Sequence, residues 1–160
     1  MTHYERLITE VEKEGAAVVE LNCGTNKRFG KCYNNKVFIN SNMPETQKTE
    51  VLAEEYGHFK TTVGDITDLT DIRNLKMERI ARTYAYEILC SMDKLIAVIN
   101  KGATNLDEIC DALTVSPKFF HEAINHYKCK YGLYYEYNNY IFHFDDNAFY
   151  IHKKQNYMEG

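Results

Sequence analysis

The chain has 160 residues, a length that suits one compact domain or one domain with a small appendage. Hydrophobic residues make up 44% of the sequence and charged residues 26%, which is globular usage and excludes disordered and fibrous proteins. The formal net charge is −4, so bulk electrostatic attraction to nucleic acid or to an anionic membrane is disfavoured.

The sequence also predicts a soluble, cytoplasmic protein without a membrane partner. No apolar stretch approaches the roughly 20 residues that a membrane-spanning helix needs. The N-terminal segment is charged throughout and has no apolar core of the kind found in secretion signals. The cysteines are widely spaced and form no CxxC pair, which excludes a zinc ribbon and a thioredoxin-type motif. We therefore expect buried free thiols in a reducing compartment at Cys23, Cys32, Cys90, Cys110 and Cys129.

The first 40 residues predict a helix followed by a small sheet. Apolar residues recur at helical spacing within residues 3–14, and Gly15 then marks the end of an amphipathic helix. Residues 16–40 have the pattern of about three strands. The pair Asn34-Asn35 suits a two-residue hairpin turn, because Asn tolerates a positive φ.

The middle of the chain predicts three helices. One should begin near Ser41–Pro44, where Pro fits the first helical turn, and should run to about residue 60. A loop with Gly64 and three aspartates follows. Residues 71–90 then have the pattern of a long helix, and residues 91–101 that of a short one.

The last third predicts two helices and a hairpin. LDEICDAL and PKFFHEAINHYKCKY are separated by a break at Thr114–Ser116, and a hairpin should turn at Asn138-Asn139. This order is the outline of a winged helix-turn-helix. However, residues 101–160 carry six basic and eight acidic side chains, and such a charge balance argues against DNA binding. We expect this region to pack on the rest of the chain and to contribute a protein-binding surface.

One stretch, Leu52-Ala53-Glu54-Glu55-Tyr56-Gly57-His58, carries the pattern of a metal site. Positions i and i+4 of a helix share a face, so Glu54 and His58 can converge on one ion, while Glu55 can reach a water molecule bound to it. This is the geometry of the HExxH motif of zinc peptidases, with Glu in place of the first His. Glutamates and a histidine on a solvated helix face are the alternative interpretation.

Glu78, in the segment MERIARTYAYE, is the candidate for a third ligand. Ala81 and Ala85 follow it at i+3 and i+7, and small residues on that face would let this helix approach the first closely. The alternative is that Glu78 is an exposed charge, paired with Arg82 one turn later.

These segments together resemble a known family. In chain order they are a hairpin ending in VFINSNM, then VLAEEYGHF followed by TTVGD, then ERIARTYA. The sequence is similar to the ImmA/IrrE-type metallopeptidases, gluzincin-like domains that are common in phages and mobile elements. ERIARTYA resembles the family's ExxANxFA stretch, which supplies the third metal ligand. Residues 1–95 carry the resemblance well, and the downstream helices carry it less specifically.

The resemblance implies a site, a cofactor and a partner. His58 and Glu78 would be metal ligands, Glu54 would occupy the first-ligand position, and Glu55 would be the catalytic general base of a zinc-dependent endopeptidase. The partner would be a helix-turn-helix repressor. It also implies an α+β fold with zincin-like helices packed on a small antiparallel sheet in residues 1–100. From the order of its own elements, we expect residues 101–160 to form a winged-helix-like extension with the hairpin, packed on that domain.

The Glu at the first-ligand position changes the expected chemistry. Two Glu and one His neutralise a divalent ion, which makes it a weaker Lewis acid than a centre with two His and one Glu. A carboxylate-rich set also suits Mn²⁺ in addition to Zn²⁺. A catalytically impaired protein-binding module of the same fold, with a repressor or a toxin–antitoxin partner, is therefore the alternative function.

Overall fold

The computed structural model describes residues 1–61, 72–145 and 148–155, and its fold class is α+β as predicted. The elements in chain order are α1 (His3–Lys13), β1 (Ala17–Leu21), β2 (Gly30–Tyr33), β3 (Lys36–Asn40), α2 (Glu45–Thr61), α3 (Ile72–Leu89), α4 (Met92–Asn100), α5 (Leu106–Leu113), α6 (Pro117–Tyr131), β4 (Tyr134–Tyr137), β5 (Tyr140–His143) and β6 (Tyr150–Lys153).

Helix α1 confirms the prediction for residues 3–14. The Thr2 hydroxyl accepts the backbone N–H of Glu5 at 3.1 Å, and the Glu5 carboxylate accepts the backbone N–H of Thr2 at 2.8 Å. This capping box satisfies backbone donors that the first helical turn leaves unpaired. Tyr4, Leu7 and Val11 on one face are buried in the core.

The first sheet has the three predicted strands, but it is mixed and not wholly antiparallel as predicted. Its order is β1-β3-β2, with β1 parallel to β3 and β2 antiparallel to β3. The chain leaves β1, crosses to the far side of the β3 position, forms β2 and returns through the hairpin. The Asn40 side chain, fully buried, holds that crossover by donating to the carbonyls of Thr25 and Lys27 at 2.9 and 2.8 Å.

The three helices predicted for the middle of the chain are confirmed as α2, α3 and α4. Helix α4 begins at the predicted point because the Ser91 hydroxyl caps it, accepting the backbone N–H of Lys94 at 3.3 Å. The predicted loop with Gly64 lies outside the described residues.

The C-terminal elements follow the predicted order. Helices α5 and α6 flank a break in which Thr114 has a φ of 57°, and Asn138 and Asn139 turn the hairpin with φ of 47° and 65°. A further strand, β6, pairs antiparallel with β5 and was not predicted, since it is short and no two-residue turn precedes it. The winged-helix identity of this region and its division from residues 1–100 remain predictions.

One hydrophobic cluster extends from Tyr4 to Phe144 and includes residues from both parts of the chain. All five cysteines carry free thiols, as predicted, but only Cys90 and Cys110 are buried, while Cys23 and Cys129 are exposed. None of the helices in the described ranges is long and apolar enough to cross a bilayer.

Candidate functional site

Close packing of α2 against α3 brings the predicted site residues together. A Cβ atom on Gly57 would lie 2.6 Å from the backbone oxygen of Ala81, so only glycine allows this approach. Ala81 and Ala85 on the facing side are fully buried. The prediction that small residues on α3 permit close approach is therefore confirmed.

The approach places His58 beside Glu78. The imidazole Nε2 lies 3.1 Å from Oε2 of Glu78, and the histidine side chain is almost fully buried while Glu78 is partly exposed. Two of the predicted ligands thus meet at the junction of the helices. Their role as metal ligands remains a prediction.

Glu55, on α2, directs its side chain against strand β2. A Cβ atom on Gly30 would lie 3.0 Å from Cγ of Glu55, which shows how closely the strand covers this carboxylate. Burial raises the pKa of Glu55 to about 7, and the charges of Glu54 and Glu78 act in the same direction. A hydrogen bond with the backbone of Cys32 and the charge of Arg28 oppose that rise.

Glu54 is engaged by two arginines, and sequence reasoning missed this arrangement. Oε1 of Glu54 accepts from Nη1 of Arg82 at 2.6 Å, and Oε2 forms a hydrogen-bonded ion pair with Arg28. The carboxylate is largely buried, with a side-chain exposure of 17%. Charge-assisted hydrogen bonds of this kind are among the stronger polar contacts in proteins.

Arg82 is itself held by further partners. Its Nη2 donates to Glu122 of α6 at 2.5 Å and its Nε donates to the Tyr86 hydroxyl at 2.8 Å. Burial alone would lower the pKa of the Arg82 guanidinium. The hydrogen bond with Glu122 and the charge of Glu54 have the larger combined effect, and the pKa is raised. The predicted alternative, in which Arg82 pairs with Glu78, is replaced by these contacts. One sequence signal could have indicated this different role of Arg82: it occupies the position of Asn in the ExxANxFA pattern.

The arrangement fits only part of a three-ligand zinc centre. His58 and Glu78 converge as two ligands would, but both oxygens of Glu54 are bonded to cationic groups that would repel a divalent ion. Within the described residues, no group of three or more His, Cys, Asp or Glu side chains is arranged to hold a metal.

The contact between Gly57 and Ala81 leads to a prediction for stability. We expect Gly57→Ala to destabilise the fold by about 1–2 kcal/mol, because the added methyl group would collide with backbone atoms of α3. Chemical denaturation would measure the change. In an uncrowded helix the same substitution stabilises by roughly 0.5–1 kcal/mol, so a gain in stability would contradict the close approach.

The sequence matches the model of a known protein family. The sequence model of the IrrE N-terminal-like domain, a family of peptidases, matches residues 11–125. No curated protein and no solved structure gave a significant match to the chain. The matched region begins in α1 and ends in α6, and it contains Glu54, Glu55, His58 and Glu78. The chain therefore belongs to the IrrE N-terminal-like domain family, a family of zinc metallopeptidases.

Proposed function

We propose that this chain is an ImmA/IrrE-type domain that binds a protein partner and has impaired peptide hydrolysis. The observation that carries the proposal is the pairing of Glu54 with Arg28 and Arg82. These guanidinium groups neutralise the carboxylate at the first-ligand position. A divalent ion would have to displace them before Glu54 could bind it.

Displacement of Arg82 is opposed by the network around it. The Tyr86 hydroxyl donates to Glu122 at 2.9 Å and accepts from Arg82, so releasing the guanidinium would break several hydrogen bonds together. Coupled polar networks of this type resist the removal of one member more than a single pair does. This supports a site retained for its shape and charge.

The partner would approach along strand β2. In the part of the chain that the structure describes, this strand forms one edge of its sheet, next to Glu55, and edge strands can accept an extended peptide as an added strand. Phe29 and Tyr33 at its two ends are exposed and could pack on the added segment. The partner we propose is a helix-turn-helix repressor in the cytoplasm, and we propose no direct contact with nucleic acid.

A zinc-dependent endopeptidase is the second candidate, and the contact between His58 and Glu78 favours it. Its substrate would be the same repressor, as in a phage or mobile element. In that case His58, Glu78 and a Glu54 freed from its arginines would hold Zn²⁺ or Mn²⁺. Glu55, buried beside them, would be the group that accepts a proton during hydrolysis.

Incubation of the purified chain with a helix-turn-helix repressor from the same genome separates the two candidates. We expect the two proteins to co-elute and the repressor to remain intact in the presence of added Zn²⁺. We expect Glu55→Gln to bind the repressor as the unmodified chain does, with Glu12→Gln on the exposed face of α1 as the matched control. Cleavage by the unmodified chain, lost by about 10²–10⁴-fold in Glu55→Gln, would establish the endopeptidase instead.

A further inference from the structure

A further cleft is lined by none of the residues that form the site described above. Helices α1, α4 and α5, with the end of α3, enclose a volume of about 500 Å³. Its floor is apolar and is formed by Leu7, Leu89, Val98 and Leu113, all of which are buried. A volume of this order is typical of sites that bind small molecules.

The rim of the cleft is positively charged. Arg6 comes from α1, Lys94 lies in the first turn of α4 and Lys101 caps the end of α4, so two helices bring cations to one opening. Glu10 is the single carboxylate among the described residues that line the cleft. The rim therefore has a surplus of positive charge above an apolar floor.

The titratable groups at this rim are consistent with that surplus. The pKa of His3 is lowered by burial and by the charges of Arg6, Lys94 and Lys101, with Glu45 acting in the opposite direction. Burial also lowers the pKa of Lys94, against the charge of Glu10, while its ammonium group donates to the Ile88 carbonyl at 2.7 Å. A bound anion would relieve the repulsion among these cations.

We propose that this cleft binds small amphipathic carboxylates. The apolar chain of the ligand packs on Leu7, Val98 and Leu113, and its carboxylate lies between Arg6 and Lys101. Burial of the chain supplies most of the affinity, and the charges select an anion over a cation or a neutral molecule of the same shape. This site is independent of the Glu54 site and of the partner proposed for it.

Octanoate is a suitable probe, because it combines an eight-carbon body with one carboxylate. For a ligand of this size we expect a dissociation constant of about 1 mM, measured by titration of the full chain followed by ¹³C-methyl NMR. The methyl resonances of Leu7, Val98 and Leu113 should shift. Octylammonium, which has the same body and the opposite charge, should leave them unchanged.

Two variants test the charge and the volume separately. Arg6→Gln combined with Lys101→Gln should weaken octanoate binding by about tenfold, since two partly solvated charges are lost. Ala97→Phe, at an exposed position of α4 that lines the cleft, should abolish binding by filling it. Lys36→Gln, on an exposed lysine of β3, is the matched control and should bind octanoate as the unmodified chain does.

Three results would overturn the proposal. They are the absence of methyl shifts at about ten times the expected dissociation constant, equal binding of octanoate and octylammonium, and unchanged binding in the Arg6→Gln/Lys101→Gln variant. Thermal denaturation of each variant without ligand identifies any change that comes from loss of the fold. If Ala97→Phe fails to fold, the Arg6→Gln/Lys101→Gln variant and the comparison with octylammonium still test whether the cleft binds carboxylates.

Discussion

Replacing Glu54 with His and Arg82 with Asn in one chain is expected to raise its affinity for Zn²⁺ by at least about 100-fold. The first change completes the HExxH pattern with His58, and the second removes the guanidinium that would repel the ion. Asn is also the residue that the ExxANxFA pattern has at that position. Competition with a fluorescent zinc chelator would measure the affinity, and elemental analysis would measure the stoichiometry.

The single variants and a ligand knockout serve as controls. Glu54→His alone should gain less affinity, because Arg82 remains anchored by Glu122 and Tyr86 next to the site. Adding His58→Ala to the double variant should abolish the gain, since it removes one of the ligands. If the unmodified chain already binds one Zn²⁺ as tightly as the double variant does, the arginines do not block the site and the endopeptidase is favoured.

The elements that were predicted correctly are those fixed by local sequence. Helix α1 follows from its apolar periodicity and from Gly15 just after its end, and the break between α5 and α6 follows from Ser116 and Pro117. The hairpin at Asn138-Asn139 follows from the tolerance of Asn for positive φ. In each case the decisive contacts join residues only a few positions apart.

The features that were missed depend on contacts between distant residues. The parallel pairing of β1 with β3 depends on a crossover that no periodicity encodes, although the buried Asn40 at its base secures it. Arg28 and Arg82 lie 26 and 28 positions from Glu54, and a flexible guanidinium can pair with any carboxylate within reach. The spacing of Glu54, His58 and Glu78 thus predicted which helices form the site. Which of the charged side chains pair there depends on the tertiary structure.

The site contains several carboxylates, and they differ in how closely cationic or hydrogen-bonding groups compensate their negative charge. Glu54 and Glu122 share Arg82, and Glu78 contacts His58. Glu55 lies next to Glu54, and its ionised form is supported by a hydrogen bond with the backbone of Cys32 and by the charge of Arg28. Ionisation of Glu55 is therefore the least compensated charge at the site, and its cost should appear in the stability of the whole fold.

Glu55→Gln is expected to stabilise the chain at pH 8 by about 2–3 kcal/mol and to leave its stability near pH 4 unchanged. The pKa of Glu55 rises from 4.5 to about 7 on folding, chiefly through burial, so the folded state holds the proton more tightly than the unfolded state. That contribution is fully present below pH 4.5 and is lost as the pH rises towards 7 and beyond. Glutamine stays neutral at every pH, so the variant does not lose stability in this way. Urea denaturation of both chains between pH 4 and pH 8 would measure the difference.

The shape of this pH dependence distinguishes the ionisation of Glu55 from a general change in packing. A packing effect of the amide would shift the free energy of unfolding by the same amount at every pH, whereas the proposed cause makes the difference between the two chains grow from pH 4.5 to pH 7. Glu12→Gln, on an exposed carboxylate of α1, should give a difference near zero throughout. A constant offset for Glu55→Gln would mean that Glu55 ionises in the folded chain as it does in the unfolded one, and its burial under β2 would then carry no electrostatic cost.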